Sequence, residues 1–95
     1  MKNTLWVVAY DISDARTRTR VSNILKDHGE RVQYSVFECW LSETVLQELR
    51  EKVRTVINQG DDHQVRWYPL CAHCVTRTSW QGLGKAPENM QFVAL

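Results

Sequence analysis

The stretch Leu5-Trp6-Val7-Val8-Ala9-Tyr10-Asp11 decides the fold. Its apolar run, rich in β-branched and aromatic residues, is too short for a buried helix and reads as a strand covered on both faces. A carboxylate follows at once, so the strand delivers Asp11 to its own tip. Just beyond lies a segment dense in arginine, and acid, tip and arginines together point to phosphate chemistry.

Outward from Asp11, Ser13 and Asp14 are favourable helix N-caps, and Val21, Ile24, Leu25 and His28 recur at helical spacing until Gly29. This predicts a helix from about Asp14 to His28, with Gly29 as its C-cap. The run Arg31-Val32-Gln33-Tyr34-Ser35-Val36-Phe37-Glu38-Cys39-Trp40-Leu41 is strand-like, and a break at Tyr34-Ser35 divides it into two short strands. Ser42 or Thr44 caps a second helix, in which Val45, Leu46, Leu49, Val53, Val56 and Ile57 form one apolar stripe that ends at Gly60. Glu48 and Lys52 add an exposed pair on this helix. Gly60-Asp61-Asp62 is a turn, and Gln64 to Leu70 is extended again, with Pro69 suiting a strand end or a sheet edge.

The element order is β-α-β-β-α-β, the ferredoxin-like split βαβ plan of the α+β class. A single domain spans residues 1–95. Residues 71–95 form an irregular tail whose apolar end, Phe92-Val93-Ala94-Leu95, is too short to order alone and docks as an extra C-terminal strand.

A chain of 95 residues has little stability to spare, so dimerisation would help it. A hydrophobic share of 43% suits a globular core and argues against disorder. The longest apolar run is far shorter than a bilayer requires and the start lacks the features of a signal peptide, so a cytoplasmic protein without membrane contact is expected. Three cysteines without an export signal are expected as reduced thiols. The net charge of +1 excludes a polycation that coats nucleic acid by charge alone, so any basic site is local.

A hard divalent cation takes oxygen ligands, usually one or two carboxylates with waters and phosphate oxygens. Asp11 alone is a thin site, and by position it reads equally as a turn or cap residue. Asp14 is favoured as a helix cap over a ligand. A two-fold dimer that brings the same strand tip from each chain together would supply a second Asp11. Arg16, Arg18, Arg20 and Arg31, with the hydroxyls of Ser13, Thr17 and Thr19, suit phosphate contacts, although charge alone favours a solvated face. Arg16 and Arg20 share a helix face while Arg18 points about 160° away, so at most two line one ligand.

Tyr10, Tyr34, Phe37 and Trp40 read mostly as core or dimer contacts rather than base-stacking groups, with Tyr10 and Phe37 supporting the site. Cys71-Ala72-His73-Cys74 carries half of a zinc spacing without a second pair, so thiols are favoured over zinc. The sequence has no phosphate-binding glycine loop, no Gly-x-Ser-x-Gly elbow and no His-Glu-x-x-His, which disfavours nucleotide hydrolysis, serine chemistry and zinc proteolysis.

Val8-Ala9-Tyr10-Asp11-Ile12-Ser13-Asp14, the arginine-dotted helix ending at Gly29, and Arg31-Val32-Gln33-Tyr34-Ser35-Val36-Phe37-Glu38-Cys39 together resemble the CRISPR-associated protein two family, the small nuclease-like partner of the CRISPR integrase. Beyond these segments the chain agrees with the family in length and element order. The resemblance implies a ferredoxin-like homodimer whose C-terminal strand packs on the partner's sheet. It implies that Asp11 of both subunits is the catalytic residue and the ligand of Mg2+, with Mn2+ as a possible substitute. It further implies an endonuclease acting on single-stranded RNA or double-stranded DNA, and membership of the complex that captures new spacers beside an integrase subunit. In that second role the dimer is a non-catalytic DNA-binding scaffold bridging integrase dimers. A toxin-type ribonuclease outside CRISPR is a third reading, because one fold hosts many functions. The family often has adjacent basic residues after the first strand, whereas this chain alternates them as Arg16-Thr17-Arg18-Thr19-Arg20.

Overall fold

A computed structural model describes residues 3–57 and 63–82. Seven elements follow one another: β1 (Thr4–Asp11), α1 (Ala15–Lys26), β2 (Glu30–Gln33), β3 (Val36–Leu41), α2 (Glu43–Val56), β4 (Gln64–Leu70) and α3 (Ala72–Thr76). The strands form one sheet in the order β2-β3-β1-β4, with every neighbouring pair antiparallel. This is the ferredoxin-like α+β arrangement, in which each helix crosses over an intervening strand. The expected C-terminal strand at Phe92 to Leu95 lies outside the described residues. Among the described residues no helix is long and apolar enough to cross a membrane.

Because β1 is paired on both edges, its side chains alternate between two faces of the sheet. Trp6, Val8 and Tyr10 face the helices, opposite Cys39 and Phe37 on β3 and Trp67 and Val65 on β4. Val21 and Leu25 of α1 and Leu46, Leu49 and Val53 of α2 close this core. Leu5, Val7, Ala9 and Asp11 point to the other face. There Leu5 is buried and shares a recess with Val75 of α3, while Val7 and Ala9 are only half-buried.

Both long helices start on side-chain caps. Asp14 accepts the Thr17 N–H at 2.8 Å, and Ser42, not Thr44, accepts the Val45 N–H at 3.3 Å. On α2 the exposed ion pair is Glu51 with Arg54, at 2.5 Å, rather than Glu48 with Lys52.

Two expectations are corrected. Gly29 is not a left-handed cap: Asp27 closes α1 with right-handed backbone angles, and the glycine with a positive φ among the described residues is Gly82. Gly29 is needed for another reason, since a Cβ there would collide with the Glu38 carbonyl oxygen and the Cys39 sulfur and lie 2.9 Å from the Cys39 Cα. The chain between α1 and β2 therefore presses directly on β3. Within the tail expected to be irregular, Ala72–Thr76 folds as α3, with Cys71 as its N-cap.

Candidate active site

Asp11 is the last residue of β1 and pairs with Gln64 of β4. Its position in the alternation places it on the face opposite α1 and α2, exposed, and no described residue gives it a hydrogen bond or an ion pair. Among the described residues, Asp11 is thus a free carboxylate at the tip of a central strand.

Its surroundings divide into engaged and unengaged charges. Asp14 takes hydrogen bonds from both the Thr17 N–H and the Thr17 hydroxyl, the latter at 2.7 Å. These bonds hold its carboxyl below the ordinary range, with smaller help from the charges of His63 and Arg16. Asp14 is a cap, as its spacing suggested.

The four arginines separate in the same way. Arg18 donates to the Ile12 carbonyl at 2.9 Å and lies over the Tyr34 ring, 6.0 Å from its centroid. Arg31 donates to the buried Ser22 hydroxyl and lies 5.5 Å from the Phe37 ring centroid. Both guanidiniums therefore brace the fold, and Arg31 is exposed while doing so. Arg16 and Arg20 are exposed on one face of α1, opposite the side that Arg18 occupies.

Tyr10 and Phe37 are core residues beneath the site, 5% and 0% exposed, with rings stacked at 6.3 Å. The Tyr10 hydroxyl donates to the Tyr34 carbonyl at 3.4 Å, and the Tyr10 N–H donates to the Ser35 carbonyl at 3.0 Å, which fixes the β2–β3 turn beside the β1 tip. Neither ring reaches the face opposite α1 and α2, so their support is structural. Tyr34 departs from the core reading, because its side chain at that turn is 71% exposed.

Sequence reasoning gave His63 no role at this end of the sheet. It precedes Gln64, the residue opposite Asp11, and its Nδ1 is buried without a hydrogen-bond partner. Its place one residue before a strand that pairs with β1 was the signal available. Among the described residues no three His, Cys, Asp or Glu side chains gather as a metal cage. Among the described residues, one chain therefore offers a single free carboxylate at the tip, a partial oxygen donor set for a hard cation.

Comparison with known proteins adds identity to this geometry. Residues 4–78 match the family model described as CRISPR associated protein Cas2. The chain is 42% identical over 89 residues to CRISPR-associated endoribonuclease Cas2 3 of Synechocystis sp., covering 90% of this chain and 96% of that one. It is also 42% identical, over the full length of both, to CRISPR-associated endonuclease Cas2 2 of Thermus thermophilus. Among solved structures, a hypothetical protein from Thermus thermophilus superposes with a TM-score of 0.78 at 40% identity, covering 90% of this chain and 99% of that one. A chain of a partial Cas6-RT-Cas1–Cas2 complex superposes with a TM-score of 0.70 at 25% identity, covering 80% and 88%.

Proposed function

The chain belongs to the CRISPR-associated protein Cas2 family, and from that premise we propose that it is a CRISPR adaptation protein with magnesium-dependent endonuclease capacity, working as a homodimer whose two Asp11 side chains share one cation. One observation carries this reading: Asp11 stands exposed and unengaged by the described residues, while Asp14 beside it is spent on a helix cap. The relatives named endoribonuclease and endonuclease support phosphodiester cleavage, of RNA or DNA, as the reaction.

The face opposite α1 and α2 supports the dimer. It carries half-buried Val7 and Ala9 and, opposite Val7, Tyr68 at 46% exposure, all on the side to which Asp11 points. A second copy seated there covers apolar surface and brings a second Asp11 to the same side. The donor set then fits a hard cation such as Mg2+ or Mn2+: two carboxylates, with other positions left to water and phosphate oxygens. When bound, that ion supplies Lewis acidity toward the scissile phosphate. Asp11 holds the ion, Arg16 and Arg20 hold flanking phosphates by charge, and Arg18 keeps the loop after Asp11 in place.

A second reading rests on the same two arginines. With Arg16 and Arg20 open on α1, the dimer serves as a DNA-binding scaffold beside an integrase subunit, as the Cas1–Cas2 complex containing a similar chain suggests. Family membership leaves the toxin-type ribonuclease without support. The test is cleavage of labelled single-stranded RNA and duplex DNA with and without Mg2+, comparing wild type with Asp11→Ala. Metal-dependent cleavage that the variant loses supports the enzyme; salt-sensitive duplex binding without cleavage by either protein supports the scaffold.

A further inference from the structure

Cys71 and Cys74 take no part in the site at the β1 tip, yet they are built as a pair. Cys71 ends the strand side of the β4–α3 junction, and its sulfur accepts the Cys74 N–H at 3.4 Å. The two sulfurs are 3.3 Å apart, and both residues are exposed. Cys71 also borders a recess of about 610 Å³ lined by Leu5, Trp40, Leu70 and Val75, so a small reagent has room to approach. Cys39 is the opposite case. It is fully buried, and burial, with a smaller effect from Glu38, pushes its thiol up to about 11.

We propose that Cys71 and Cys74 are a reversible dithiol–disulfide couple that exchanges with low-molecular-weight disulfides such as oxidised glutathione, Cys71 attacking and Cys74 resolving. In the first step the Cys71 thiolate bonds to one glutathione sulfur; the S–S bond of the reagent breaks, and one glutathione leaves as thiolate and takes a proton. In the second step the deprotonated Cys74 sulfur bonds to the Cys71 sulfur, and the second glutathione leaves in the same way. The protein dithiol is oxidised by two electrons and the glutathione disulfide is reduced to two thiols, so the exchange balances without another oxidant.

Geometry favours closure over a lasting mixed disulfide. From 3.3 Å the sulfurs need to approach by only about 1.3 Å to reach bonding distance. The order of attack follows from the hydrogen bonds. The Cys74 N–H donates to the Cys71 sulfur and lowers its pKa, while the Cys71 sulfur beside it raises that of Cys74. Zinc finds too few partners here, because no third His, Cys, Asp or Glu among the described residues joins the two sulfurs.

The test uses the full chain equilibrated in glutathione buffers from fully reduced to fully oxidised, quenched in acid, alkylated and mapped by peptide mass. The expected result is a Cys71–Cys74 disulfide that forms and reverses with the buffer while Cys39 stays a thiol. Cys74→Ser should stall as a glutathione adduct on Cys71, and Cys71→Ser should form no disulfide and less adduct on Cys74. Failure of the intramolecular bond to form at any buffer ratio, or equal adducts in the two variants, would overturn the proposal.

Discussion

Arg18 donates from Nη1 to the Ile12 carbonyl oxygen at 2.9 Å, closing the β1–α1 loop back onto the residue that follows Asp11. An arginine that sequence places among phosphate ligands therefore braces the loop after the β1 tip. The carbonyl it satisfies belongs to a residue 4% exposed, so loss of the donor leaves a polar group short of partners.

The arginines should accordingly behave as two classes. Arg18→Ala is expected to lower stability by about 1.5–3 kcal/mol, the range for a hydrogen bond from a charged donor. Arg16→Ala and Arg20→Ala should leave the urea midpoint unchanged and each reduce the slope of log affinity against log salt for duplex DNA by about 0.9. Urea melts and salt-titrated binding of the three variants measure both effects.

Gly29→Ala tests the close approach to β3. The added carbon meets the Glu38 carbonyl and Cys39, a backbone oxygen and a fully buried side chain, neither of which can swing away. Overpacking of this kind costs about 1–3 kcal/mol. The expected result is a lower urea midpoint with an unchanged m-value.

Asp14 gives α1 an acid-sensitive start. Its folded pKa lies below the ordinary 3.8, so its stabilising contribution is complete above that value and is lost as pH falls through the folded one. Asp14→Asn keeps a capping side chain but no charge. The variant should be less stable than wild type at neutral pH, and the gap should close in acid when urea midpoints are compared across pH.

Glu38 has the reverse sign. Burial first, and then Glu30 opposite it in the β2–β3 register, raise its carboxyl above the ordinary 4.5. A raised carboxyl favours the fold in its protonated form, so that contribution is full below 4.5 and disappears as pH rises through the folded value. Glu38→Gln should therefore stabilise the protein at neutral pH, by about 0.2–1 kcal/mol and toward the low end because solvent screens the pair. Below about pH 4 the two proteins should unfold alike.

Much of the fold was legible because its signals are local. The unbroken apolar run before Asp11 is the central strand β1, although its second face, expected to be covered, leaves Val7 and Ala9 half-buried, and the Leu46, Leu49, Val53 stripe matches the buried side of α2. The caps at Asp14 and Ser42 were also readable. What escaped depends on contacts distant in sequence. Nothing near Gly29 shows that Cys39 will lie against it, and nothing near Arg31 shows that Ser22 will accept a hydrogen bond from it. The helix Ala72–Thr76 is too short to show an apolar stripe, and it holds the pair of sulfurs together. At the site, Asp11 was found by its position after the run, and the separation of Arg18 from Arg16 and Arg20 was visible in helical spacing. The tertiary use of Arg18 was not.

The central claim, that two Asp11 carboxylates share one cation across a two-fold axis, is tested most directly by Mn2+ binding followed by electron paramagnetic resonance, with the mass of the same sample measured in solution. The expected result is a dimer that binds one ion for every two chains, with binding weakened about a hundredfold or more in Asp11→Ala. A monomer, or a dimer whose Asp11→Ala variant binds Mn2+ as tightly as wild type, would contradict it.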